Sequence, residues 1–105
     1  MYNGDMDDAI AGFEWDRGNL EKCRKHGVST ADIENMLIGE PRIAPDLRHS
    51  EKEARFIAVG RSLSGRAMFV AFTIREMEGK KFIRPVTARY MHKKESEQYE
   101  ETESA

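Results

Sequence analysis

With 105 residues, 39% of them hydrophobic and 34% charged, the chain has material for one modest core under a strongly polar surface, which suggests a single domain. No run approaches the ~18 apolar residues of a membrane span, the acidic opening MYNGDMDDAIAG lacks the basic and apolar regions of a secretory signal, and a single cysteine, Cys23, rules out an intrachain disulfide and fits a reducing cytoplasm. The net charge of −2 hides an asymmetry: residues 1–8 hold three acids and residues 95–105 five, so eleven acids face all seventeen basic residues between them, an excess of six positive charges. That asymmetry points to a polyanionic partner or, with equal weight, to a solvated surface of mixed charge.

Residues 1–12 read as an acidic extension, 13–99 as the domain and 100–105 as an acidic tail. The alternating FEW at 13–15 predicts a short strand that packs Phe13 and Trp15. Asp16 then caps a helix through about His26, with Gly27 at its C′ position. Ser29 caps a second helix whose apolar spacing is Val28, Ile33, Met36 and Leu37, and Gly39 and Pro41 stop it. After the extended stretch RIAPDLRHSEKEARF the period changes to two. Strands are expected over Arg55–Arg61, Arg66–Arg75 and Lys81–Arg89, joined by turns at Ser62–Gly65 and Glu76–Gly79, with a polar helix over His92–Glu101. The fold class is therefore α+β: N-terminal helices packed on an antiparallel β-meander with a C-terminal helix.

Strict alternation assigns Met68, Val70, Phe72 and Ile74 to the core face of the middle strand, and Phe69, Ala71, Thr73 and Arg75 to the other. In the last strand it gives Phe82, Val86 and Ala88 an apolar face interrupted by Arg84, and leaves Ile83, Pro85, Thr87 and Arg89 opposite. Thr73, Arg75, Thr87 and Arg89 would then line one less apolar sheet face. Pro85 removes a ladder donor, so its missing N–H is expected to face an edge or a bulge.

Chemistry is narrowed by what is missing. Cys23 and His26 are three residues apart on a helix, but no further Cys or His spacing completes a zinc site, and Cys23 reads as a packing residue. There is no Gly-rich phosphate loop and no Gly-x-Ser-x-Gly elbow. No metal or other cofactor is expected. The remaining Lys, Arg, His and Glu residues make a set that can cleave a phosphodiester, with a base for the 2′-hydroxyl, cations for the phosphorane and an acid for the leaving oxygen. The same set describes an ordinary solvated surface.

The blocks FEWDRGNLEKCRKHGVS, HSEKEARFIAVG, GRAMFVAFTIR and IRPVTARYMHKKE, in this order and spacing from about Phe13 to Tyr99, resemble the BrnT family of toxins. The resemblance implies a RelE-like fold and a metal-independent cytoplasmic endoribonuclease of a type II toxin–antitoxin pair, one that inhibits translation. It implies neutralisation by a BrnA-like ribbon-helix-helix antitoxin in a heterotetramer of two toxins and two antitoxins, with operator DNA contacted only through the antitoxin and no membrane contact. Residue by residue it carries over Lys22, Lys25 and His26 on the first helix, His49, Ser50, Glu51 and Glu53 in the HSExE segment, and Arg66, Arg75 and Arg89 on the strands. Two departures stand out: Cys23 and Arg24 precede the Lys-His pair where many relatives have an asparagine, and Pro85 stands where an aliphatic residue is common.

On this reading Glu53 is the base, His26 or Lys22 the acid and His49 the reserve for either role. Arg75 and Arg89 together grip the phosphate, and Arg66 adds a contact from the rim. Lys25, His49, Thr73, Thr87 and Arg84 are assigned to RNA, with Arg84 ranked first as a partner-facing or paired structural arginine. A salt bridge from Arg89 to Glu51 or Glu53 is the structural alternative for that residue. Two other functions remain open: an inactive RNA-binding or antitoxin-binding co-repressor of the same fold, and a small non-enzymatic nucleic-acid-binding domain. For the latter, Phe69 and Tyr90 offer few exposed aromatics for base stacking.

Overall fold

The computed structural model describes residues 10–49 and 52–104. Both N-terminal helices start where side-chain caps are encoded. Asp16 precedes α1 (Arg17–Arg24) in extended backbone, and its carboxylate accepts from the Asn19 N–H at 3.1 Å while the Asn19 side chain accepts from the Asp16 N–H at 2.7 Å. This reciprocal box satisfies two otherwise orphaned donors of the first turn. Ser29 caps α2 (Thr30–Ile38) through the Asp32 N–H, and Gly39 ends that helix. Between the helices Gly27 has φ +78°, a left-handed turn that a side chain would strain.

Five strands form one sheet in the order β1-β5-β4-β3-β2: β1 (Ile10–Phe13), β2 (Arg42–Pro45), β3 (Arg55–Arg61), β4 (Ala67–Met77) and β5 (Lys80–Tyr90). The three central strands run as the period-two pattern predicts, and the β4–β5 turn uses Glu78 and Gly79, both at positive φ. The antiparallel meander is formed by β3, β4 and β5, while β1 adds to β5 in parallel, so the sheet is mixed. The aromatic FEW stretch lies at the end of this strand rather than forming it. Trp15 has left the sheet, and its indole N–H donates to Glu34 on α2 at 2.8 Å. The second edge, β2, comes from the stretch read only as extended and is followed by a 3-10 turn at Leu47–His49. Helix α3 (Lys93–Ser104) completes the chain. Among the described residues no helix is long and apolar enough to cross a membrane.

The core lies between the sheet and the α1–α2 layer. Phe72, Met68 and Val70 of β4 are fully buried with Ile33, Val28 and Cys23 from the helical side. Each such side chain contributes about 1.5–3 kcal/mol by leaving water. Packing is close enough to demand glycine at position 60, where an added Cβ would lie 2.9 Å from Met36 of α2.

Strict alternation fails in β5. Ala71 stands opposite Thr87 but Phe72 opposite Pro85, so Val86 is an extra residue, a bulge. Below it the faces are exchanged relative to the sequence expectation. Ile83 and Pro85 point into the core, and Phe82 and Arg84 join the open face with Thr73 and Arg75. The cause is Pro85 and its surroundings. The carbonyls of Ile83 and Pro85 both face the β1 side, where the Glu14 N–H and the Asn19 side-chain amide take them at 2.8 and 2.7 Å. The donor that proline lacks points the same way, past the end of β1, so no ladder bond is lost there.

Candidate functional site

On the sheet face away from α1 and α2, Arg55, Thr73 and Arg84 stand side by side across β3, β4 and β5, and Arg75 follows two residues along β4. With Arg48, Lys52 and Glu53 from the β2–β3 connection and Val86 of the bulge they line a cleft of about 510 Å³. Its described lining carries five cations and one carboxylate.

Each arginine from the sheet is held by acids. Arg75 Nε is 3.2 Å from Glu53 Oε2, with Glu14 at 4.0 Å, and its side chain is nearly half exposed. Arg84 is more enclosed and bonds Asp16 at 2.9 Å and Glu14 at 3.4 Å. Arg55 lies 3.4 Å from Asp46. The hydrogen bond from Arg84 holds the Asp16 carboxyl below the usual range, and Asp16 in turn raises the Arg84 guanidinium, so this bridge stays charged at all ordinary pH values. The same Asp16 that caps α1 thus anchors the cleft's inner wall. The Thr73 hydroxyl is buried and has no hydrogen-bond partner among the described residues.

The cleft gathers four of the residues singled out in the sequence: Glu53, Thr73, Arg75 and Arg84. Arg84 is the paired arginine that was ranked first for it. The rest stand elsewhere. Lys22, Lys25 and His26 are exposed on or just after α1, in the layer covering the opposite face, and none lines the cleft. Arg66 lies over the Tyr90 ring with its guanidinium carbon 3.7 Å from the centroid, and Tyr90 donates to Asp32 at 3.0 Å. Burial and that bond push the Tyr90 hydroxyl's pKa up. Thr87 does share the open face, beside Ala71. The side chain of His49, and Ser50 and Glu51 altogether, lie outside the described residues.

The paired grip of Arg75 and Arg89 is not formed. Arg89 stands opposite Phe69, six residues along β4 from Arg75, about 20 Å at the rise of a strand. Its guanidinium makes two bonds to Glu95 of α3 at 2.9 and 3.0 Å and sits 4.5 Å over the Phe69 ring. Its described acidic partner is therefore Glu95 rather than Glu53, and Arg89 covers the open-face aromatic counted as a stacking candidate. The bridge holds the Glu95 carboxyl down to about 2.

Sequence reasoning missed Arg48, Lys52 and Arg55, although all three sit in or beside the HSEKEAR run. The period-two pattern begins a strand at Arg55, but nothing local shows that this residue stands beside Thr73. Cys23 is fully buried and its thiol is pushed up to about 11, which leaves it a packing group.

A family model described as "Ribonuclease toxin, BrnT, of type II toxin-antitoxin system" matches residues 15–95. No curated protein matches the chain.

Proposed function

Since the chain belongs to the BrnT family of type II toxin–antitoxin ribonucleases, we propose that it is a RelE-like cytoplasmic endoribonuclease working in the Glu53–Arg75 cleft without a metal ion. One observation carries the reading: a carboxylate 3.2 Å from an arginine in an open cleft whose other described charged residues are all cations. When a phosphate oxygen takes Arg75, Glu53 is released to accept the 2′-hydroxyl proton. The 2′-oxygen then attacks phosphorus while the guanidiniums of Arg75 and Arg84 stabilise the phosphorane charge. The P–O5′ bond breaks, an acid protonates the departing 5′-oxygen, and the products are a 2′,3′-cyclic phosphate and a 5′-hydroxyl end. Lys52 is the cationic donor nearest in the chain to Glu53 that also lines the cleft. It takes the acid role expected first of His26 or Lys22, with His49 as its reserve. Five cations already supply the positive charge a divalent ion would bring, and they repel one.

The ion pairing of Arg55, Arg75 and Arg84 favours a second reading, in which these residues are structural and the chain is an inactive binding or co-repressor module of the same fold. Glu53→Gln and Arg75→Ala separate the two. Each is expected to keep the parent's melting temperature within a few degrees and to lower RNA cleavage by about 10²–10⁴-fold, with the parent's activity unchanged in EDTA. Folded variants that cut as fast as the parent refute the assignment, and abolition by EDTA refutes the metal-free chemistry.

A further inference from the structure

Thr73 stands at the centre of the cleft floor, only 5% exposed, with a hydroxyl that has no partner among the described residues. Buried polar side chains in folded proteins are nearly always bonded, and one left open costs stability that valine, of the same shape, would not. Its neighbours in register are Arg55 and Arg84, and Arg75 follows on the same strand face. Asp46 pairs with Arg55, and Asp16 and Glu14 pair with Arg84; none of these three acids is among the residues that line the cleft. Guanidiniums have no acceptor atom. A hydroxyl whose register neighbours on both sides are arginines is matched by a compact anion with several acceptor oxygens.

We infer that Thr73 marks the seat of an RNA phosphodiester: its hydroxyl donates to one of the two non-bridging phosphate oxygens, and Arg55, Arg75 and Arg84 share the same pair. The seat deepens the ribonuclease reading and rests on it for the identity of the ligand as RNA. Filling it requires the flexible arms of Arg55 and Arg84 to part over the hydroxyl. The cleft volume of about 510 Å³ leaves room for the attached nucleoside.

The test uses the full chain, Thr73→Val and Thr73→Ser, with a 2′-deoxy oligonucleotide as a phosphodiester that 2′-hydroxyl attack cannot cut. Thr73→Val is expected to melt at the parent's temperature or above it, and to bind the probe about tenfold more weakly, the loss of one charge-assisted hydrogen bond. Its salt dependence should be unchanged because no charge is removed. Thr73→Ser should keep most of the affinity. A Thr73→Val protein that melts several degrees lower has lost a protein partner and overturns the inference, as does one that binds the probe like the parent. RNA cleavage is scored separately. A parent that binds as expected yet never cuts RNA sinks the ribonuclease reading and spares the seat, whereas a cutting parent with an unaffected Thr73→Val sinks the seat alone.

Discussion

Asn19 shows how one side chain joins distant parts of the molecule. It is buried, accepts from the Asp16 N–H, and donates to the carbonyls of Glu14 at 3.0 Å and Pro85 at 2.7 Å. Helix cap, end of β1 and bulge therefore share one amide. Asn19→Ala leaves the buried Pro85 carbonyl without that partner and is expected to cost about 2 kcal/mol in denaturant unfolding. An unchanged midpoint would show that water replaces the amide. The caps at Asp16 and Ser29 were legible in the sequence because each is satisfied within three residues. The second role of Asn19 was not, because its partner is 66 residues away.

At the scale of elements, the helices and the antiparallel pairing of β3, β4 and β5 followed from local signals, while the edge strands and the face of the first half of β5 did not. The Val86 bulge exchanges the faces of the first half of β5, which is why Arg84 lies in the cleft and Ile83 in the core. An alternating pattern cannot reveal an inserted residue whose cause is a proline flanked by long-range partners. The C-terminal helix was likewise legible as a helix, but its glutamates read as tail. Glu95 instead bonds Arg89 and also accepts from the His92 N–H at 2.9 Å, closing the first turn of α3. With its carboxyl lowered from an ordinary 4.5 to about 2, chiefly by Arg89, Glu95 contributes its full hold on α3 above pH about 4.5. That hold is lost as pH falls through about 2. NMR signals of the α3 residues across an acid titration should report release in that window. In Arg89→Ala the release should start nearer pH 4.5, and identical profiles would show that the bridge does not hold the helix.

For the molecule as a whole, the family assigns an antitoxin partner, and charge suggests how RNA and antitoxin divide the surface. The basic cleft occupies one end of the open sheet face, and the acidic α3 is tethered over the other through Arg89, Arg61 and Arg42. If the cleft takes RNA as proposed, an antitoxin that neutralises the toxin there has to deny RNA the first of these. Co-expression with the neighbouring gene product should yield a complex, two of each chain for a dimeric BrnA-like protein, that no longer cuts RNA. A toxin that elutes as a monomer beside its neighbour, or a complex that still cuts RNA like the free toxin, counts against this arrangement.

The parallel pair of β1 and β5 also governs when the protein can act during its own synthesis. β1 is translated well before its partners Lys81, Phe82 and Ile83. Arg84, whose anchor Asp16 was translated long before, arrives only then. At roughly 5–20 residues per second a nascent chain spends several seconds without a closed sheet or a formed cleft. On the proposed assignment of the cleft, a nascent chain cuts no RNA until the strand that completes this sheet has been added.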